Sequence, residues 1–419
     1  MSSRGAGVML GEQDQQNGLV PKLRFPEFRD DPAWELWPLK KLAKRRTRKN
    51  VGAKVDRVLT NSAEHGVVDQ RDYFEKDIAN PGNLEGYFII EKGDYVYNPR
   101  ISNLAPVGPI HRNDVGLGVM SPLYTVFFFD CVKNDFYSHY FKTPHWHQYL
   151  RHVSNSGARH DRMAISADDF INMPVPVSNP LEQQKIADCL SSIDAVIAAE
   201  AEKLEALKDH KKGLMQQLFP APGETSPSRR FPEFQSAGEW KERLLGEVCD
   251  VAQGYGFPQA LQGKPSGEFP FCKVSDISRA VSDKGGVLDS AVNYVDLSDL
   301  KILKAKLIPA GATVFAKIGE ALRLNRRAIS GVECLIDNNA VALKAKSGVA
   351  SDYFVFLLSQ MIDMNEHCGG AVPSVNKSTL ERISVIIPQP KEQQKIAEHF
   401  SSCNAIIALQ AEKIDALRA

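Results

Sequence analysis

The hexapeptide Glu-Gln-Gln-Lys-Ile-Ala occurs twice, at Glu182–Ala187 and at Glu392–Ala397, and each copy opens an apolar pattern with alternating steps of four and three. The first line passes through Ile186, Leu190, Ile193, Ile197, Leu204, Leu207, Leu214 and Leu218, with Glu200 and Lys211 on the same stripe. The second passes through Ile396, Phe400, Cys403, Ile407, Gln410, Ile414 and Leu417. Such a pattern averages about 3.5 residues per turn, so it stays on one helix face only if the helix winds left-handedly around a partner. Each copy is therefore half of a coiled coil, and the other copy is its obvious mate. Polar Glu200, Lys211 and Gln410 on the seam suit either register control or a splayed, solvated stretch.

The repeat extends to the lead-in of each half. Arg24-Phe25-Pro26-Glu27-Phe28 returns as Arg230-Phe231-Pro232-Glu233-Phe234, and Trp34 and Leu39 return as Trp240 and Leu245. The framework is copied while the contents diverge, which points to one scaffold presenting two different reading heads. Asn179 can cap the first helix, Pro180 fits its first turn and Glu182 can reach back to the cap. That helix should run to about Phe219, where Pro220-Ala221-Pro222-Gly223 stops it. At ~1.5 Å per residue it would be about 58 Å long. The second starts at Gln389-Pro390-Lys391-Glu392 and runs to Ala419, so its packing near the partner's start at Pro180 is expected to be incomplete.

The long intervening segments are too large for hairpin turns, so the helices can lie antiparallel with a folded domain at each end. Strand-like runs fill those segments: Tyr87–Ile90, Tyr95–Tyr97 and Tyr124–Phe129, then Phe269–Val274, Thr313–Phe315 and Ala340–Leu343, with a helix over Tyr353–Met364. Gly93-Asp94 and Gly311-Ala312 precede similar strands, so the two domains are expected to share a fold. The predicted class is α+β, two globular domains joined by two antiparallel coiled-coil helices with a pseudo-two-fold internal repeat. The expected division is 1–18 disordered tail, 19–178 first domain, 179–220 first spacer helix, 221–388 second domain with linker, and 389–419 second spacer helix.

The chain of 419 residues carries 51 basic and 51 acidic side chains, so any case for a nucleic-acid partner rests on local charge. Lys40, Lys41, Lys44, Arg45, Arg46, Arg48 and Lys49 crowd into ten residues. Seven scattered cysteines without a Cys-x-x-Cys pair favour reduced thiols, and no apolar run reaches membrane length, which suits a cytoplasmic protein without membrane contact. There is no Gly-x-x-x-x-Gly-Lys-Ser/Thr loop and no Asn/Asp-Pro-Pro-Tyr/Phe tetrapeptide, while Gly116-Leu117-Gly118 and Gly254-Tyr255-Gly256 are too weak to be cofactor loops. His145, His147, His152 and His160 match no metal-ligand spacing. No catalytic residue, metal or cofactor is expected in this chain.

The polar run 151–162 offers Arg151, Asn155, Ser156, Arg159 and Arg162, residue types that contact phosphates or base edges. At the matching place before the second helix lie Ser374, Asn376 and Lys377. Asn98 and Arg100 after one strand, Lys317 with Arg323, Arg326 and Arg327 after its counterpart, and Lys273 extend the set. The bland reading is a pair of polar surface loops.

The two Pro-x-Glu-Gln-Gln-Lys-Ile-Ala helix openings at Pro180 and Pro390 are joined by Gly213-Leu214-Met215-Gln216-Gln217-Leu218-Phe219-Pro220 and by Phe269-Pro270-Phe271 leading to Ser275-Asp276-Ile277. With Ala316-Lys317-Ile318-Gly319, and Pro373-Ser374-Val375-Asn376-Lys377 before Ile386-Ile387-Pro388, these runs closely resemble the specificity subunit of type I restriction-modification systems. The likeness covers nearly all of the chain after residue 18. It implies two target recognition domains, each reading half of a split sequence in double-stranded DNA, and helices that set the gap and dock two modification subunits. S-adenosylmethionine, ATP and Mg would belong to those methyltransferase subunits and to the translocating, cleaving restriction subunits. A self-contained DNA methyltransferase or nuclease, and a coiled-coil adaptor binding only protein, are the alternatives.

Overall fold

The computed structural model describes residues 19–73, 81–131, 134–154, 161–370 and 372–418; the 1–18 tail lies outside them. They form two compact units divided between Ala195 and Val196. That boundary falls inside the first long helix, Pro180–Leu218, whose opening turns pack into the first unit.

Each unit is built on the same antiparallel sheet. In the first unit the strand order is Ala43–Arg45, Thr125–Phe129, Tyr95–Tyr97, Ile110–Arg112. In the second it is Cys249–Gln253, Ala340–Ala345, Thr313–Ala316, Ala328–Ser330, with Val287–Leu288 added parallel at the edge. The registers coincide: Tyr95 faces Phe127 and Arg112, as Thr313 faces Leu343 and Ile329. Gly93 (φ 92°) and Gly311 (φ 85°) turn the chain into the two middle strands in a conformation that favours glycine. A second shared element is a ribbon, Glu35–Pro38 with Pro174–Val177 in one unit and Lys241–Leu244 with Ser384–Ile387 in the other.

Alternating aromatic and β-branched residues make these strands, and their inner faces make the cores. The first core is aromatic, with Phe129 stacked on Tyr137 at 4.3 Å and Tyr97 on Phe170 at 5.0 Å. The second packs Phe315, Leu343 and Phe354 against Leu214, Leu218, Ile396 and Phe400 of the long helices and against Phe219 just after the first of them.

Between the shared strands the units differ. The first carries the hairpin Leu59–Ser62 with Gly66–Asp69 and the pair Phe88–Ile90 with Gly118–Met120. The second carries a three-stranded sheet of Asn293–Val295, Phe269–Cys272 and Leu335–Ile336, and a helix Val274–Asp283. The strand expected over Phe269–Val274 is present over Phe269–Cys272, and the helix takes over from Val274 because Ile277 and Ala280 bury at helical spacing.

The repeated lead-in has a physical cause. Glu182, expected to reach back to the helix cap, is fully buried and holds the Arg24 guanidinium through two hydrogen bonds of 2.7 and 2.9 Å. Trp34 Nε1 donates to the same carboxylate at 3.0 Å, and Arg24 also donates to Asp31 O at 2.7 Å. In the second unit Glu392 accepts from Arg230 at 2.8 and 2.5 Å and from Trp240 Nε1 at 3.3 Å, while Arg230 donates to Ala237 O at 2.8 Å. Lys185 pairs with Glu27 beneath Phe25 as Lys395 pairs with Glu233 beneath Phe231. Both carboxylates sit in a first helical turn, where the helix dipole adds to their stabilisation. Asn179 alone caps, accepting from Leu181 N at 3.0 Å.

The second long helix runs from Pro390 to Arg418. Within the second unit it lies antiparallel to the 196–218 stretch of the first: Gln410 donates to Glu200 at 2.6 Å while Ile396 and Phe400 share a core with Leu214 and Leu218. Glu200 and Gln410 are therefore paired, not splayed, and Lys413 also reaches Glu200 at 2.5 Å. Lys211 is half-buried, and burial lowers its pKa. Ile186, Ile197, Leu204, Leu207, Ile407 and Leu417 are half-buried and Ile414 is buried, whereas Leu190 and Ile193 are 39% and 40% exposed. The apolar line extends beyond its covered part.

Lys413 and Gln410 hold the Glu200 carboxyl below its ordinary 4.5. A depressed folded-state pKa gives stabilisation that is complete above the ordinary value and lost as pH falls through the depressed one. Glu200→Gln is expected to flatten the acid limb of unfolding followed by circular dichroism; an unaltered acid limb would show that the cluster does not contribute.

Candidate nucleic-acid interface

The expected loops meet in each unit through the same backbone pairing. In the first unit Met163 N donates to Pro99 O at 2.8 Å and Ile101 N to Asp161 O at 3.0 Å. In the second Val375 N donates to Lys317 O at 2.9 Å and Gly319 N to Pro373 O at 2.8 Å. Arg100 thus stands opposite Arg162, as Ile318 stands opposite Ser374.

The side chains differ more than the backbone. Arg100 is exposed and Arg162 half-buried, whereas Arg151 lies exposed on the helix His147–Val153, away from the recess described below. Asn155, Ser156 and Arg159 lie outside the described residues. Asn98 braces its own loop: Nδ2 donates to Asn61 O at 2.9 Å and Oδ1 accepts from Arg100 N at 3.0 Å. Any side chain at Gly108 would run into Asn98 O, the ideal Cβ lying 2.0 Å from it, so a glycine holds this loop in place.

In the second unit Ser374 is exposed, and Asn376 caps the helix Lys377–Glu381 by accepting from Thr379 N at 2.9 Å. Lys377 lies 3.6 Å from Glu381, Arg323 3.2 Å from Glu320, and Arg326 is exposed. Lys317 is half-buried. Lys273 donates to Gln262 Oε1 at 2.8 Å and lies over the Phe257 ring.

Arg327 does not belong with them. It is 4% exposed, lies over Phe315 at 4.1 Å and donates to Asn325 Oδ1 at 2.6 Å. Burial pushes its pKa down to about 9. Among the described residues no carboxylate contacts this buried charge, and such a group is weak evidence of stability, so Arg327→Met is expected to leave the thermal midpoint unchanged or higher and nucleic-acid retention unaltered. Loss of retention in a filter-binding assay would return Arg327 to the contact set.

The first unit encloses a recess of about 290 Å³ lined by Thr60, Ser62, Tyr73, Arg100, Tyr124 and Arg162 among others. Thr60 Oγ1 and Tyr124 OH are hydrogen-bonded at 3.1 Å, and Ser62 Oγ donates to Tyr73 OH at 3.3 Å. Asn61, which also lines the recess, is buried, its Nδ2 donating to Val96 O at 2.7 Å and Pro109 O at 3.2 Å. Those two bonds leave Asn61 Oδ1 as acceptor for His111 Nδ1 at 2.7 Å, which fixes the ring's tautomer. Burial lowers the His111 pKa and keeps the ring neutral. Sequence reasoning passed over this group; the available signal was an asparagine inside the strand Leu59–Ser62, where that residue is disfavoured.

Of the basic run, Arg45, Arg48 and Lys49 are exposed, but Arg46 is held by Asp94 at 2.7 Å and lies over Phe128. Among the described residues no group of three His, Cys, Asp or Glu side chains is placed to hold a metal, and no helix is long and apolar enough to cross a membrane.

Residues 237–419 match the family described as Type I restriction modification DNA specificity domain. The Type I restriction enzyme MjaIX specificity subunit of Methanocaldococcus jannaschii is 25% identical over 275 residues, covering 64% of this chain and 61% of that protein. The putative MjaX specificity subunit of the same organism is 25% identical over 260 residues, covering 60% and 57%. The matched part thus spans less than two thirds of either relative. Two solved chains share the fold. One, from a study of complex assembly and conformational transition of the type I R-M system, has a TM-score of 0.55 at 15% identity, covering 95% of this chain and 96% of that one. The other, the S subunit of a type I system from M. genitalium, has 0.56 at 13%, covering 96% of each. With its duplicated scaffold and its two unlike insertions, the chain is similar to the specificity subunits of type I restriction-modification systems, and its residues 237–419 match their DNA specificity domain.

Proposed function

We propose that this chain is the DNA-targeting subunit of a type I complex, that each unit reads one half of a bipartite sequence, and that it carries no chemistry of its own. One observation carries the reading: the two units repeat a scaffold down to the pairing of their polar loops, yet insert different structure beside them. A protein that needed one contact surface would have no use for two unlike insertions on one frame. Modification and restriction subunits would be its partners in the cytoplasm and would supply S-adenosylmethionine, ATP and Mg. Arg100, Arg162, Arg151, Asn155, Ser156 and Arg159 in the first unit, and Lys273, Lys317, Arg323, Arg326, Ser374, Asn376 and Lys377 in the second, are the proposed contact set. Asn98 acts in it through the loop it braces.

The test exchanges residues 19–178 for the equivalent segment of a relative and sequences methylated DNA from a host expressing the whole system. One half of the modified motif should change while the other stays. A change in both halves, or in neither, would sink the division of labour. Retention of duplex DNA by the assembled complex should also fall steeply as salt rises.

A further inference from the structure

The first unit's recess has two walls of different origin. The Arg100 and Arg162 wall belongs to the loops whose backbone pairing recurs in the second unit. The opposite wall is the strand Leu59–Ser62, whose hairpin has no counterpart among the described residues of the second unit; a helix and a three-stranded sheet occupy that interval. Thr60 lies on that strand, whereas Tyr124 immediately precedes the shared strand Thr125–Phe129. Arg100 and Arg162 place two cations at directly opposed positions, of which Arg162 lies 3.5 Å from the half-exposed Asp161 carboxylate and Arg100 is exposed, so an anion can be shared between them. Thr60 and Tyr124 offer a neutral hydroxyl pair, with Thr60 8% exposed, and the next residue of the strand, Asn61, is held by Val96 O, Pro109 O and His111. Rigid neutral donors and acceptors discriminate base edges, whereas flexible cations position the backbone.

We infer that the Thr60–Tyr124 hydroxyl pair determines base preference within the first unit's half-site, while Arg100 and Arg162 hold the adjoining phosphate. This rests on the reading of the chain as a DNA-specificity subunit and assigns the parts of one of its sites. Thr60 and Tyr124 then act as specificity determinants that the loop motifs do not mark. Arg100 and Arg162 secure affinity without sequence information.

The test uses the complex assembled with its modification subunits and a set of duplexes carrying every single-base change in the modified motif. T60V and Y124F preserve shape and remove hydroxyls. Each is expected to reduce discrimination at one base position of one half-site by about tenfold, with the slope of log affinity against log salt unchanged. R100A and R162A are each expected to weaken binding to all duplexes alike and to reduce that slope by about 1. The assignment is overturned if T60V and Y124F leave every base preference intact, or if R100A changes the rank order of bases. Y124F, at a half-buried position, keeps the test open if T60V does not fold. Failure of the unaltered complex to retain the motif-bearing duplex would instead overturn the proposed function.

Discussion

Glu392→Ala is expected to destabilise the second unit by about 3 kcal/mol, seen as a lower denaturation midpoint followed by Trp240 fluorescence. Removing one member of a buried ion pair costs about 3–5 kcal/mol because the other charge stays buried without its partner. The lower end applies here because Arg230 keeps its bonds to Ala237 O and Gly238 O. The tryptophan loses its acceptor in the same step, since its Nε1 donates to that carboxylate. Glu392→Gln should recover part of the loss, because an amide oxygen can still accept while the charge is gone. Glu182→Ala should act in the same direction on the first unit, reported by Trp34. An alanine at either position without effect would show that the duplicated Arg, Trp and Glu do not hold the lead-in to the helix.

The larger effect is expected from Phe400→Ala, at about 4 kcal/mol on the second unit. Phe400 has no exposed surface and sits in one core with Leu214, Leu218, Phe354 and Ile396, so truncation leaves a cavity whose lining comes from both long helices and from helix Asp352–Gln360. Phe400→Leu should cost far less, because it keeps most of the volume. Thermal unfolding by calorimetry separates the two variants. Equal and small losses from both would mean that the seam at this point is not packed as described.

The helices and their starts were legible before any coordinates because their signals are local or periodic: Pro180 and Pro390 open them, and Pro220 follows within two residues of Leu218. The shared sheet was legible for a similar reason, since Gly93 and Gly311 mark the turn into equivalent strands. The surroundings of the proposed contact residues were read less well. Arg327 looked like its neighbours Arg323 and Arg326, yet Phe315 and the fold around it take it out of solvent. Thr60 and Tyr124 carried no motif at all, because what matters about them is that 64 positions of chain bring two hydroxyls to 3.1 Å.

By itself the sequence established that one framework is written twice, where its long helices run and which faces they offer, because helix periodicity and capping act over a few residues. Only the tertiary structure decided what the duplicated charges do. Glu182 looked like a cap, but a buried carboxylate must find donors wherever they are, and it finds them in Arg24 and Trp34, 158 and 148 positions away. The same rule decided which cations remain exposed: desolvation and long-range partners, neither of which is encoded within one loop, set Arg100 and Arg326 apart from the buried Arg327.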